Sequence, residues 1–381
     1  MSGEVGEDGG VIATLKSLPK AAKIALAAGS AIGSSLALAG LFESFIRFME
    51  EKRFKPPGKF LETSKGAVHY VYRKCTSESE SKDRPILILD AGLGCWSLVF
   101  RMHLEEFAEV TDVLALDRYG YGHSSYVNDG SNRIVDHVDN LETVLKLLEI
   151  DQPILFVAHS LAGVSATYFA LKNKPRMAGV VYIDAMTSGG AELMAEKMPP
   201  TKNASKTGYL GKFLSHVGGL RLLTYLGKLP TVGAYARELL PELVRTTTKW
   251  EWFSSFKMDF ESCMECYGLV ENQVTEKFVH ESEGCLDDIP IAVLMPDFYL
   301  HYKLIAAETL EKISQAQKNA ANFSSDSKFV LIEDCSHWVM WDKPEVVLDT
   351  VLDVISRYEK SIENRILPKS RGQLKNPAGI R

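Results

Sequence analysis

Cysteine is scarce in this 381-residue chain: six, at positions 75, 95, 263, 266, 285 and 335. That is too few and too scattered for a disulfide scaffold. Cys263-Met-Glu-Cys266 has metal-ligand spacing, but no second pair follows it, and only His280 and Cys285 stand nearby. Free thiols are the expectation. Positive charge is also short: 43 lysines and arginines against 49 aspartates and glutamates leave a net charge of −6. A nucleic-acid partner normally requires a basic face, so none is expected. No internal repeat is visible, and the ordinary balance of 46% hydrophobic and 24% charged residues supports one large α/β core with an insertion, or two domains.

Long apolar runs are almost as rare. The exception is Ile24–Phe42, nineteen uncharged residues, just inside the length of a membrane-spanning helix. Small residues recur there every fourth position, at Ala25, Gly29, Gly33 and Ala37, a spacing that lets helices approach closely in a bilayer. The competing readings are a secretory or transit peptide and an alanine-rich soluble helix. A signal peptide has a shorter apolar core ending in a small-residue cleavage site, so the expectation is a single-pass N-terminal membrane anchor. Its orientation stays open, because Lys16, Lys20 and Lys23 flank one side and Arg47, Lys52, Arg53 and Lys55 the other.

What remains divides readily. Residues 1–23 form a polar N-terminus, glycine- and acid-rich at its start, and 43–59 a linker closing on Pro56-Pro57-Gly58. From residue 60 strands alternate with helices. Strand signals fall at 67–73, 86–90, 113–117, 154–157, 180–184, 291–294 and 329–332, with helical patterns at 100–110, 132–149, 161–173, 299–320 and 344–358. Such alternation gives a mostly parallel, doubly wound α/β sheet with helices on both faces. Core segments are expected at 60–186 and 289–359, and a basic, disordered tail at 360–381. Between them, residues 187–288 carry helical patterns and no strand signal, as a cap over the carboxyl ends of the strands would. Within it, Gly208–Leu229 is apolar and aromatic with Lys212, Arg221 and Lys228 interleaved. That face either touches a membrane surface or an acyl chain, or is an ordinary packed cap with a solvated charged side.

The chemistry centres on Ile154-Leu-Phe-Val-Ala-His159-Ser160-Leu-Ala-Gly163, an apolar strand running into a serine and a small-residue helix. This is the pattern of a nucleophile elbow, usually G-x-S-x-G, with Ala158 and Ala162 here in the glycine positions. A serine hydroxyl needs a base, and the base needs an orienting group. His337 is the best base, in a loop between the last strand and the Pro344 helix. His159 precedes the serine and should point away from its hydroxyl, and His123 reads as structural. For the acid, Asp297 just beyond its strand is favoured, Asp184 at the end of the preceding strand is the alternative, and Asp334 or Glu333 are outside choices. Backbone amides of Leu93, in the loop Asp90-Ala-Gly-Leu-Gly94, and of Leu161, after the serine, are candidates for an oxyanion hole.

These pieces, with Asp117-Arg-Tyr-Gly-Tyr-Gly-His-Ser124, the VVYIDA strand and the CSHW loop, resemble the α/β-hydrolase fold over residues 60–360. The resemblance implies a Ser–acid–His triad, a cap inserted after the sixth strand, no cofactor, and hydrolysis of an ester or related bond. Two departures stand out: Asp90-Ala91-Gly92 replaces the usual His-Gly before the oxyanion loop, and alanine replaces both elbow glycines. Relatives with an aspartate nucleophile, the dehalogenases and epoxide hydrolases, are disfavoured by Ser160. The expected activity is therefore that of a membrane-bound serine hydrolase on a small-molecule acyl ester or lipid. Amide or thioester cleavage or acyl transfer on the same triad is the alternative. From another class, a non-catalytic ligand receptor retaining the pocket is the rival.

Overall fold

The computed structural model describes residues 19–77, 83–127, 134–197, 204–226, 228, 239–267, 281–297 and 307–366. Five short apolar runs make its centre: β3 (Ile86–Asp90), β4 (Val113–Leu116), β5 (Ile154–His159), β6 (Met177–Ile183) and β7 (Ile291–Pro296), buried at every residue. Strands covered on both faces read in this way, as continuous rather than alternating hydrophobicity. β1 (Lys59–Thr63), β2 (Gly66–Arg73) and β8 (Ser327–Ile332) complete an eight-stranded sheet in the order β1-β2-β4-β3-β5-β6-β7-β8. The β1–β2 and β2–β4 pairs are antiparallel and all others parallel.

The side chains of β3 alternate between two cores. Leu87 and Leu89 face one that includes Val347, Val351 and Val354 of α12 (Pro344–Ile366), while Ile86 and Ile88 face another containing Val138 and Leu141 of α3 (Ile134–Leu147) and Phe169 of α4 (Ala162–Lys172). The remaining core helices are α2 (Leu104–Ala108), α10 (Ala307–Ala320) and α11 (Val339–Asp342). Between β6 and β7 the regular elements among the described residues are helices: α5 (Ser188–Lys197), α6 (Ala204–His216), α7 (Gly219–Tyr225), α8 (Leu240–Thr247) and α9 (Trp250–Cys266). Before the sheet runs α1 (Lys20–Arg53), long and apolar enough to cross a membrane and exposed along its apolar stretch.

The chain leaves β3 for β4 on one side and β5 for β6 on the other, so a crevice opens between their carboxyl ends. Register aligns that edge. Asp90 pairs with Ala158, His159 with Ile183, Ile183 with Leu294 and Pro296 with Ile332. The DAGLG loop, Ser160, Asp184, Asp297 and the loop bearing His337 therefore leave the same side of the sheet.

Several sequence expectations shift. The predicted helix at 100–110 is a 3-10 segment, Ser97–His103, followed by the short α2. β1 begins at Lys59, the last residue of the expected linker, and α1 occupies residues 43–53 of that linker. α12 continues to Ile366, eight residues past its expected end and into the expected tail. Residues 1–18 of the expected polar N-terminus, the first part of the helix predicted at 299–320 (residues 299–306) and the tail from 367 lie outside the described residues.

Candidate active site

Ser160 stands between β5 and α4 with φ +55°, a left-handed conformation rare for a residue with a side chain. Such a residue costs roughly 1–3 kcal/mol unless its surroundings hold it. They do: its N–H donates to Ile183 at 3.0 Å, and its carbonyl accepts from Gly163 at 3.0 Å and Met186 at 2.7 Å. Ala158 and Ala162 are fully buried. The position that admits only glycine is the next one. A Cβ on Gly163 would lie 2.5 Å from the Met186 carbonyl, because α4 crosses the exit of β6 there.

The DAGLG loop lies against the serine. A Cβ on Gly92 would fall 2.7 Å from Ser160 Cβ and 3.1 Å from its Oγ, so only glycine lets the backbone pass this close. Leu161 is the N-cap of α4, where a helix leaves its first amides without intrahelical partners.

His337 Nδ1 is bonded to Asp184 Oδ2 at 2.5 Å. Asp184 is buried, with φ +42°, its amide donating to Leu294 at 2.8 Å. Gln317 of α10 donates to Asp184 Oδ1 at 3.1 Å and to the Ala185 carbonyl at 3.0 Å. Asp297, favoured from sequence, has other work. Its carboxylate accepts the backbone N–H groups of Asp334 and Cys335, each at 3.1 Å, pinning the loop that carries His337. The partner of His337 is therefore the alternative acid, Asp184. Asp334 and Glu333 are exposed on the same loop. His159 lies beneath: its Nε2 sits 3.0 Å from the His337 carbonyl, with the two rings 4.5 Å apart. Burial, and then the neighbouring His337, push its pKa well below the usual histidine value. A neutral ring that donates from Nε2 is the result. His123 is half-buried against Glu242 at 2.8 Å, away from this cluster.

A strained serine, an imidazole held by a carboxylate and a glycine loop at the serine side chain share one sheet edge. That arrangement suits nucleophilic attack followed by proton transfer. A model of the alpha/beta hydrolase family matches residues 87–350, well over half of the chain. The chain belongs to the alpha/beta hydrolase family. Solved structures agree on the fold. The Cif epoxide hydrolase from Acinetobacter nosocomialis superposes with a TM-score of 0.58 at 15% identity, over 83% of this chain and 96% of that one. A probable hydrolytic enzyme from Pseudomonas aeruginosa PAO1 gives 0.57 at 17%, over 79% and 95%. A structure from work on carboxylesterases of the thaumarchaeon Nitrososphaera gargenis gives 0.51 at 14%, over 80% and 100%. Among curated proteins, the uncharacterized protein YqjL of Bacillus subtilis is 29% identical over 99 residues, which span 26% of this chain and 38% of that protein.

For this alpha/beta hydrolase, the aspartate at the head of the glycine loop has a visible use. Buried Asp90 accepts from Arg118 at 3.2 Å, His137 at 3.0 Å and Ser165 at 2.9 Å. Burial works to raise its pKa, yet the charges of His137 and Arg118 hold it below the ordinary carboxylate value. Arg118 also donates to the carbonyls of Ala91 at 2.8 Å and Gly92 at 2.7 Å and meets Asp259 of α9 at 3.3 Å. Trp252 of the same helix donates to the Gly94 carbonyl at 2.8 Å. Sequence reasoning missed Gln317, Arg118, His137 and Asp259. Arg118 stands inside the DRYGYGHS match, but Gln317, His137 and Asp259 carry no local signal.

All six cysteines are free, and burial raises the Cys263 thiol well above its ordinary pKa. Among the described residues no group of three or more His, Cys, Asp or Glu is placed to hold a metal.

Proposed function

We propose that the protein is a serine hydrolase that cleaves carboxylic esters of lipid-like substrates through an acyl-enzyme, with Ser160, His337 and Asp184 as its triad. Ser160 Oγ attacks the ester carbonyl while His337 takes its proton. The amides of Leu93 and Leu161 receive the developing oxyanion, each such donor being worth roughly 10²–10³ in rate. His337 then protonates the departing alcohol, and water cleaves the acyl-serine by the same route reversed. Asp184 holds the imidazole in one tautomer and offsets the charge it acquires. The observation carrying this reading is the His337–Asp184 bond of 2.5 Å on the sheet edge where Ser160 sits strained beside Gly92. Residues 187–288 act as the cap over the site, and α1 anchors the enzyme in a membrane.

A fluorophosphonate probe tests the nucleophile. Wild type should label and Ser160→Ala should not, with ester turnover falling by about 10⁴-fold or more; an unreactive wild type would refute the reading. Carbonate extraction of the full chain, beside a chain beginning at residue 56, tests the anchor. The full chain should stay with the membrane pellet, and release of both would overturn the span. p-Nitrophenyl esters of graded chain length then define the acyl preference.

A further inference from the structure

The last turns of α1 are built into the cap. Glu43, Arg47 and Glu50 recur on one helical face, and Arg221 of α7 bridges both carboxylates. Its Nε and Nη2 donate to Glu43 at 2.8 and 3.1 Å, and Nη1 and Nη2 to Glu50 at 2.6 and 2.9 Å. Arg47 donates to Glu43 at 2.8 Å, to the carbonyl and hydroxyl of Ser215 in α6 at 2.8 and 3.0 Å, and to the Thr248 carbonyl at 3.0 Å. Glu43 and Arg221 are 3% and 7% exposed. A helix tethered only by a flexible linker would bury no such cluster, so α1 is docked on the cap through its last turns.

The same two cap helices leave large apolar side chains uncovered. Tyr209, Leu210 and Phe213 are exposed on α6, and Leu222, Tyr225 and Leu226 on and just after α7, each set at helical spacing. Lys212 and Lys228 are exposed among them. Exposed apolar surface on this scale marks an interaction site. Aromatic and aliphatic groups beside lysines match the interfacial layer of a bilayer, where rings sit at headgroup level and cations meet anionic lipid. The exposed apolar stretch of α1 runs directly into the clamp, ending at Phe42 one residue before Glu43.

We propose that α6 and α7 form a shelf seated in the lipid surface, clamped to α1 by Glu43, Arg47, Glu50 and Arg221, so that the cap rests on the bilayer and takes its substrate from it. The shelf rests on the reading of α1 as a span and deepens that of a lipid-like substrate. Its partner is a phospholipid surface carrying some anionic headgroups.

The test uses the full chain in phosphatidylcholine–phosphatidylserine vesicles, with Cys75 and Cys285 replaced by serine and an environment-sensitive fluorophore on Phe213→Cys, Leu222→Cys or, as control, Leu147→Cys on the core helix α3. Doxyl lipids labelled near the headgroup should quench positions 213 and 222 at least threefold more than position 147. Arg221→Gln should reduce that quenching. Equal quenching at all three positions, in protein that still resists carbonate, would overturn the shelf while leaving the span intact; release by carbonate would overturn the span and the shelf together. Label self-quenching that rises with protein-to-lipid ratio, without doxyl quenching, would assign the surface to a second copy instead. Because these readouts need no catalysis, they stand apart from the triad. A double variant, Phe213→Ser with Tyr225→Ser, adds an independent arm. It should lower hydrolysis of a vesicle-borne ester about fivefold and leave a short soluble ester unchanged; equal rates on both would count against the shelf.

Discussion

A carboxylate behind an imidazole must be both close and fixed, since it sets the tautomer and meets the charge formed during turnover. Asp184 satisfies both conditions. It has backbone strain at φ +42°, a backbone N–H that donates to the Leu294 carbonyl of β7 and a donor from Gln317, so its carboxylate has little freedom while it holds His337. Asp297 supports the same histidine from behind, through the amides of Asp334 and Cys335. The two residues should therefore fail differently. Asp184→Asn is expected to lower kcat by about 10³–10⁴ with little change in melting temperature. Asp297→Ala strands two amide donors, at about 1–3 kcal/mol each, so it should lower the melting temperature by several degrees with a much smaller loss of kcat. Thermal melts beside ester kinetics check this, and equal kcat losses would refute the division of labour. The sequence could not separate these acids because both end buried apolar strands that are sheet neighbours, about 4.8 Å apart. Which one meets the imidazole depends on the path of the loop after β8, and that path is set by contacts between residues far apart in the chain.

At the scale of elements, α8 and α9 hold the cap to the core through two buried carboxylates of opposite pH behaviour. Burial pushes the Asp259 carboxyl up to about 6, against the pull of Arg118 and His137 and with Asp90 adding to the rise. Its folded pKa lies above the unfolded value near 3.9. Its contribution to stability is therefore full below about pH 4 and lost as pH rises through about 6. Glu242 on α8 runs the other way. Burial works to raise it, but His123 and Arg101 bring it to about 2, so its contribution persists above about pH 4.5 and is lost as pH falls toward 2. In urea melts at pH 4.5 and 7.5, Asp259→Asn should gain stability relative to wild type as pH rises, by roughly 2 kcal/mol. A difference that stays constant across that interval would show that Asp259 does not titrate as argued. Elements such as β3 to β7 were legible because full burial writes itself as an unbroken apolar run. β1 was not, since Lys59-Phe-Leu-Glu-Thr63 is an edge strand with no fully buried residue. The 3-10 turn at Ser97–His103 shares its apolar spacing with an α-helix and differs only in backbone. The grip of α9 on the glycine loop joins Asp259 to Arg118 and Trp252 to Gly94, pairs that no local pattern announces.

For the whole molecule, α1 belongs to two environments at once: its apolar stretch is exposed, while Glu43 is buried in the cap. The nineteen-residue apolar run was plain in the sequence, but the clamp was not, because Glu43 and Arg221 stand 178 residues apart. This changes what removing the helix does. A chain beginning at residue 56 sheds the apolar run together with both carboxylates that hold Arg221, leaving a guanidinium that is 7% exposed in the whole chain without either ion partner. Breaking a buried pair by removing one partner costs about 3–5 kcal/mol. The figure here should sit at or below the lower end, because Glu50 is 27% exposed and solvent screens it. A chain beginning at Gly40 loses the apolar run but keeps Glu43, Arg47 and Glu50. It should melt several degrees above the chain beginning at residue 56 and resist proteolysis within 204–248, where the shorter chain is cut. If the two melt together and are cut alike, the ion cluster contributes nothing to the cap, and α1 is a tether after all. If they differ as expected, the last turns of α1 from Glu43 onward belong to the folded body, which then begins well before the first strand.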